Sequence, residues 1–295
     1  MILIVSGRTD IVAFYTKWFI NRYHAGFVDV RNPYNPSLIN RIYFKDVDAI
    51  LFCTKNPTPI LPFIGQIKIP MLFHVTITPY HQDIEPNVLS KEKIIEGVKE
   101  LSKKIGKENV YIRYDPVFIN DRYTIDYHIK AFSRLCTLCE NYIAGFIISF
   151  LDNYKNVQKN YHILHPHIWT EDMYKKIGLN FSKIALKHHL YIKTCAEKEN
   201  LSKYGFIKGE CLSQELAERL TGKSKFKKWN ARKNKNCNCV EMVDIAAYNT
   251  CPHLCVYCYA NYAEEKIKEN IKNHDETSSV LIGHVKEDEK IIIRR

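Results

Sequence analysis

The chain has 295 residues, 46% hydrophobic and 12% aromatic, enough to bury a sizeable core in one α/β barrel or in two smaller domains. Its net charge of +11 favours polyanionic partners but equally fits a solvated, lysine-rich surface. The apolar opening Met1–Val5 is too short for a signal peptide or a membrane span, so a cytoplasmic protein with no membrane partner is expected, and ten cysteines in that compartment point to metal rather than disulfides.

Residues 2–5 read as a buried strand, followed by the turn Ser6-Gly7-Arg8-Thr9-Asp10. Asp10 is placed to cap a helix whose apolar residues Ile11, Phe14, Tyr15, Trp18 and Phe19 recur at helical spacing. Further strands are expected at 26–30, at 47–53 ahead of Thr54-Lys55-Asn56-Pro57, and at 71–78. A helix over 91–105 stops at Gly106. A strand at 110–113 runs into Tyr114-Asp115-Pro116, a helix covers 124–140, and a strand at 143–150 runs into Leu151-Asp152. A helix near 171–188 precedes a strand at 190–194, which ends in Cys195-Ala196-Glu197. Short helical pieces lead to a basic loop at 223–235 and then to Cys237-Asn238-Cys239. The last strand is expected at 241–248 and the last helix at about 259–272, with 273–295 as a tail.

Strands alternate with helices throughout, which predicts an α/β fold with a parallel sheet, open or closed into a (β/α) barrel. We read residues 1–272 as one domain with a cysteine-rich insertion at about 195–240. The polar segments follow strands, so they should converge on the rim where the C-terminal ends of parallel strands bind ligands.

One stretch of this rim carries the chemistry: Thr250-Cys251-Pro252-His253-Leu254-Cys255-Val256-Tyr257-Cys258-Tyr259-Ala260-Asn261. Cysteines at i, i+4 and i+7 bring three thiolates round one centre, which suits a [4Fe-4S] cluster whose fourth iron is free to bind something else. Zinc is the alternative, but it would ordinarily take a fourth Cys or His, and His253 has poor spacing for that role. Cys195, Cys211, Cys237 and Cys239 would complete a separate four-cysteine site for a second [4Fe-4S] cluster or for zinc, with iron-sulfur favoured. Cys136 and Cys139 share a helix face and read as core thiols, and Cys53 as packing.

The Cys251–Cys258 stretch resembles the motif of radical S-adenosylmethionine (SAM) enzymes, and Tyr257-Cys258-Tyr259-Ala260 resembles the spore photoproduct lyase branch. In ordinary members the cluster loop follows the first strand, whereas here it follows the last, so the chain resembles a circularly permuted radical SAM barrel. It is similar essentially end to end to the DUF1848 family, through Ser6–Ile11, Thr54–Pro57, Arg113–Pro116, Ile148–Phe150, Cys195–Glu197, Cys237–Cys239 and Cys251–Asn261. Gly7 departs from the family pattern, which has Arg there, and Cys53 stands where the pattern has an aromatic.

The resemblance implies that Cys251, Cys255 and Cys258 hold a [4Fe-4S] cluster with SAM on its open iron. It also places the turn Ser6–Asp10 where the family binds the amino acid end of SAM, making Ser6, Gly7, Arg8 and Asp10 candidate SAM contacts, with Tyr257 beside the cluster. A plain turn with Asp10 as a cap is compatible with that role. Arg113, Asp115 and Lys55 are candidates for orienting substrate, or else a structural ion pair and a structural turn. Glu197 is a candidate acid/base group, and His162, His165, His167, His188 and His189 lack metal spacing. The basic loop, with Phe226 and Trp229, either grips a nucleic acid backbone or shields the four-cysteine site. The expected protein is thus a radical SAM enzyme with an electron donor such as a flavodoxin or ferredoxin. The rivals are a nucleic-acid repair lyase and a noncatalytic iron-sulfur or zinc protein.

Overall fold

The apolar runs become strands covered on both faces, as parallel strands require. The computed structural model describes residues 1–229 and 236–294. Its strands are β1 (Ile2–Val5), β2 (Phe27–Asn32), β3 (Asn35–Tyr43), β4 (Ala49–Thr54), β5 (Met71–Thr76), β6 (Val110–Val117), β7 (Gly145–Phe150), β8 (Tyr191–Cys195), β9 (Ile207–Gly209), β10 (Met242–Asp244) and β11 (Lys290–Ile293). Eight of them form one sheet in the order β10-β1-β4-β5-β6-β7-β8-β9, with every pairing parallel. Helices Lys91–Ile105, Ile125–Cys139 and Glu171–Lys187 return the chain between neighbouring strands. Ser90, Thr124 and Thr170 start these helices, each side chain accepting a backbone N–H three residues on.

Alternation along each strand builds two layers. Leu3, Val5, Ile50, Phe52, Phe73, Val75, Ile112, Phe146 and Ile148 face the helices. Ile2, Ala49, Leu51, Leu72, Tyr111 and Ile147 face inward. The inner positions turn polar toward the C-terminal ends, in steps of two: Leu51 gives way to Cys53 and Lys55, Leu72 to His74 and Thr76, Tyr111 to Arg113 and Asp115. That switch makes the upper interior a polar cavity.

The sheet is a partial barrel, since β9 and β10 are its two ends. The gap is narrowed by the segments beside them, where the Val240 N–H donates to the Leu212 carbonyl at 3.1 Å. The strand expected at 26–30 forms but lies outside the barrel. As β2 it pairs antiparallel with β3, and β11 adds to β3 in a separate three-stranded sheet. Residues after 272, expected as a tail, pack back on the first quarter of the chain. The Trp18 indole N–H donates to the Ser278 carbonyl at 2.8 Å, Arg31 pairs with Glu289, and Val280 and Leu281 are buried. Among the described residues no helix is long and apolar enough to cross a membrane.

Gly145 stands where β7 and β8 come closest. A Cβ there would lie 2.6 Å from the Tyr191 carbonyl oxygen and 3.0 Å from its ring. Gly145→Ala is therefore expected to lower stability by about 1–3 kcal/mol in a denaturant titration, the usual range for overpacking.

Candidate functional site

Cys251, Cys255 and Cys258, and two of the other four cysteines, open on one cavity of about 530 Å³ at the C-terminal rim. Its walls include Cys251, Cys255 and Cys258 on one side and Cys195 and Cys211 on another, with Ser6, Gly7, Arg8, Asp10, Lys55, Arg113 and Asp115 between them. The convergence expected of segments scattered in sequence is therefore met.

The loop carrying the three cysteines is pinned from outside. The Asn87 side-chain amide donates to the Pro252 carbonyl at 2.8 Å, Asn156 to Cys258 at 2.7 Å and Asn160 to Val256 at 2.6 Å. Asn261 donates back to the Cys251 carbonyl at 2.9 Å, and the Val256 N–H to Ile84 at 2.9 Å. These bonds satisfy loop carbonyls that a short irregular segment would otherwise leave unpaired. Asn156→Ala removes bonds to both Cys258 and Asn261. It should cost about 1–2 kcal/mol and speed amide exchange in the loop, read by hydrogen–deuterium exchange.

His253, the candidate fourth donor within the loop, is already engaged. Its Nε2 lies 3.0 Å from Asp10 Oδ2 and its Nδ1 3.3 Å from the Asn87 carbonyl. Burial pushes the Cys255 thiol up to about 12, against the pull of Lys55, and burial likewise raises Cys251 and Cys258. All three would lose their protons to a metal as it binds.

The candidate SAM turn is strongly tied to the protein itself. Ser6 has φ of +89° and is held there by its Oγ, which accepts the Ile11 N–H at 2.9 Å. Arg8 Nε donates to Asp244 Oδ2 at 2.7 Å, and the Gly7 N–H to Asp244 Oδ1 at 3.2 Å. A Cβ on Gly7 would sit 2.6 Å from that carboxylate, so glycine lets Asp244 close on the turn. Asp10 does cap the following helix through the Ala13 N–H, and its other oxygen accepts from Lys55 N–H at 2.7 Å. The Asp10 carboxylate and the Arg8 guanidinium are thus both engaged within the chain.

Lys55 and Tyr257 meet on a carboxylate not singled out in the sequence. Glu85 is 1% exposed and takes Lys55 Nζ at 2.7 Å, Thr78 Oγ1 at 2.6 Å, the Tyr257 hydroxyl and Lys91. Lys55 Nζ also stands 5.5 Å from the Tyr257 ring centroid. Arg113 clamps Asp115 Oδ2 through Nε at 3.0 Å and Nη2 at 2.6 Å, and its Nη1 lies 2.9 Å from Cys211 Sγ. Two further groups face the cavity. Glu197 accepts the Phe150 N–H at 3.0 Å, and burial raises its pKa to about 8. His74 is fully buried, burial lowers its pKa to about 3, and among the described residues neither ring nitrogen has a hydrogen-bond partner.

The second set is tight. Cys195, Cys211 and Cys239 sulfurs all lie within 4.8 Å of one another, and Cys237 is buried beside them. The four are buried, and the group could hold a metal. Bonds from Cys195 and Cys239, with Arg113 beside it, hold Cys211 well below the ordinary thiol range. Cys136 and Cys139 sit in the helix-facing core and Cys53 packs against the inner layer, as expected, and Cys53 also lines the cavity. Lys223 and Lys225 turn onto Asp48, at 2.5 and 2.8 Å, and Phe226 is buried beside the four thiols. The remainder of that basic loop, 230–235, lies outside the described residues.

No curated protein matches the chain. The model of the family described as a domain of unknown function, DUF1848, matches residues 2–260, and the chain belongs to that family.

Proposed function

We propose that the protein is a radical SAM enzyme in which Cys251, Cys255 and Cys258 hold a [4Fe-4S] cluster. The observation that carries this reading is the donor set: three cysteines on a pinned rim loop, all lining one cavity, with the histidine of that loop engaged by Asp10 and Asn87. Three thiolates leave one iron for a small-molecule ligand from the cavity. The parallel pairing of β10 with β1 supports the permuted arrangement, because it puts the strand before the cluster loop beside the strand that ends in Ser6–Asp10.

When bound, the reduced cluster and SAM supply a radical that takes hydrogen from a substrate, with the electron coming from a donor of the flavodoxin or ferredoxin class. The chain's own residues orient and enclose. Ser6, Gly7, Arg8 and Asp10 form a rigid wall beside the loop, and Asp10 fixes His253 against it. Lys55, held by Glu85, keeps a positive charge near Cys255. The unpartnered His74 ring on the inner wall supports a substrate or cofactor group that hydrogen-bonds there, since buried polar atoms are ordinarily paired. Glu197 keeps its proton at neutral pH and can donate it to a group bound in the cavity.

The test is anaerobic iron and sulfide quantitation on the whole chain, with EPR of the reduced protein. A cluster signal that SAM alters, with 5′-deoxyadenosine formed under a low-potential reductant, is the expected result. A cluster signal indifferent to SAM, with no cleavage, would make the protein a noncatalytic iron-sulfur binder.

A further inference from the structure

The geometry points to a single zinc ion, not a second cluster, held by Cys195, Cys211, Cys237 and Cys239, where it fastens the open side of the barrel. The first ground is spacing. Four sulfurs at about 2.3 Å from one ion stand about 3.8 Å apart at tetrahedral corners. Cys195 and Cys239 sulfurs are 3.7 Å apart and Cys211 joins them within 4.8 Å, while Cys237, buried beside them, stands outside that tight group and would turn its thiol inward to complete the shell. A cubane places each cysteine sulfur beyond its own iron at a separate corner, which spreads the thiols much more widely. Among the described residues, the Cys251, Cys255 and Cys258 sulfurs form no such tight group. The two sets therefore differ as a cluster site and a single-ion site differ.

The second ground is position in the fold. Cys211 follows β9 by two residues, and Cys239 precedes β10 by three. These strands are the two unpaired ends of the sheet. Cys195 is the last residue of β8. One ion held by these side chains would join the ends where strand pairing is missing. The contacts already begin this closure, with the Cys211 N–H donating to Cys239 Sγ at 3.2 Å and Val240 N–H to Leu212. A closed four-thiolate shell of this kind is structural, with no position left for substrate.

Charge fits this site but is shared by both occupants, since a resting [4Fe-4S] core carries the same two positive charges as zinc. Four thiolates around a divalent ion carry two net negative charges, which a buried site must balance. Two cations stand beside the group: Arg113, whose Nη1 contacts Cys211 Sγ, and Lys193, 8% exposed on the same inner face of β8. On this assignment Arg113 is a positioning residue that ties the metal site to Asp115 at the cavity wall.

The test uses the full chain with Cys251, Cys255 and Cys258 all replaced by alanine, so that it does not depend on the first cluster. We expect about one zinc per chain by elemental analysis, without iron or sulfide. Adding Cys237→Ser and Cys239→Ser should remove the zinc. Should that variant fail to fold, the unmodified chain gives a second readout: cobalt grown into it in place of zinc should show the intense visible bands of tetrahedral thiolate cobalt. Iron in the triple variant, with or without sulfide, would overturn the assignment, as would a folded protein without metal.

Discussion

Replacing Cys255 with alanine is expected to take reductive SAM cleavage to the background of the reductant alone, and to strip most of the iron from the Cys251–Cys258 loop. Two thiols cannot hold a cubane that already lacks a fourth protein ligand. The fold should survive, because Cys255 is partly exposed at the cavity and its loop is fixed by Asn87, Asn156 and Asn160 rather than by its thiol. The comparison is Cys136→Ala in the helix-facing core, which should cost about 1 kcal/mol as a small cavity and leave iron unchanged. Loading of the unmodified protein should also rise with pH, since burial pushes the Cys255 thiol up to about 12 and iron must displace its proton. Iron analysis, circular dichroism and product chromatography on the same preparations separate these effects. A Cys255→Ala protein that keeps its iron and still cleaves SAM would sink the radical SAM reading.

The rim was legible in the sequence because parallel strands buried on both faces leave long apolar runs with polar residues at one end. Thr54–Pro57, Tyr114–Pro116 and Cys195–Glu197 announce themselves that way, and the three capped helices follow from Ser90, Thr124 and Thr170. The strands that escaped notice lack such a run. β3 opens on Asn35-Pro36-Ser37 and has its apolar residues broken by Asn40-Arg41, and β9 is three residues long with Ile207 half exposed. β11 is exposed along its length and is recognised only by its pairing with β3. The site residues that escaped notice are made by tertiary contact. Glu85 sits in a Pro/His/Asp loop and looks like a surface charge until the loop is clamped on the cysteine segment by Val256 and Asn87. Asn156 and Asn160 carry no motif. His74 did leave a trace: a lone polar residue in Met71-Leu72-Phe73-His74-Val75, in step with Leu72 and Thr76 on the inner face. The metal preference of the four-cysteine site was beyond the sequence, since a Cys-x-Cys pair fits both occupants.

Glu85→Gln should be the most destabilising conservative change near the site. The carboxylate is buried, and it is what allows Lys55 to be charged there. Burial works against the charge on Lys55, but Glu85 outweighs it and keeps the lysine pKa raised. Burial also pushes the Glu85 carboxyl up, and Lys55 and Lys91 outweigh that and bring it down to about 2. A folded pKa below the unfolded one means that Glu85 contributes stability above about pH 4.5, and that this contribution is lost as pH falls toward 2. The shift corresponds to about 3 kcal/mol. Glutamine presents an amide N–H₂ to two ammonium groups and leaves Lys55 without its counter-charge, so the loss at neutral pH should be about 3–5 kcal/mol, as for breaking a buried pair. The double variant Lys55→Met with Glu85→Gln should recover part of it, because the uncompensated charge is gone. Denaturant titrations of the three proteins at neutral pH and again near pH 4 measure both effects. The gap between the unmodified chain and Glu85→Gln should narrow on acidification, whatever other carboxylates do in common. A gap below about 1 kcal/mol at neutral pH would mean that the two lysines lose their charge when the carboxylate goes, and that the Cys251–Cys258 loop rests on the asparagines alone.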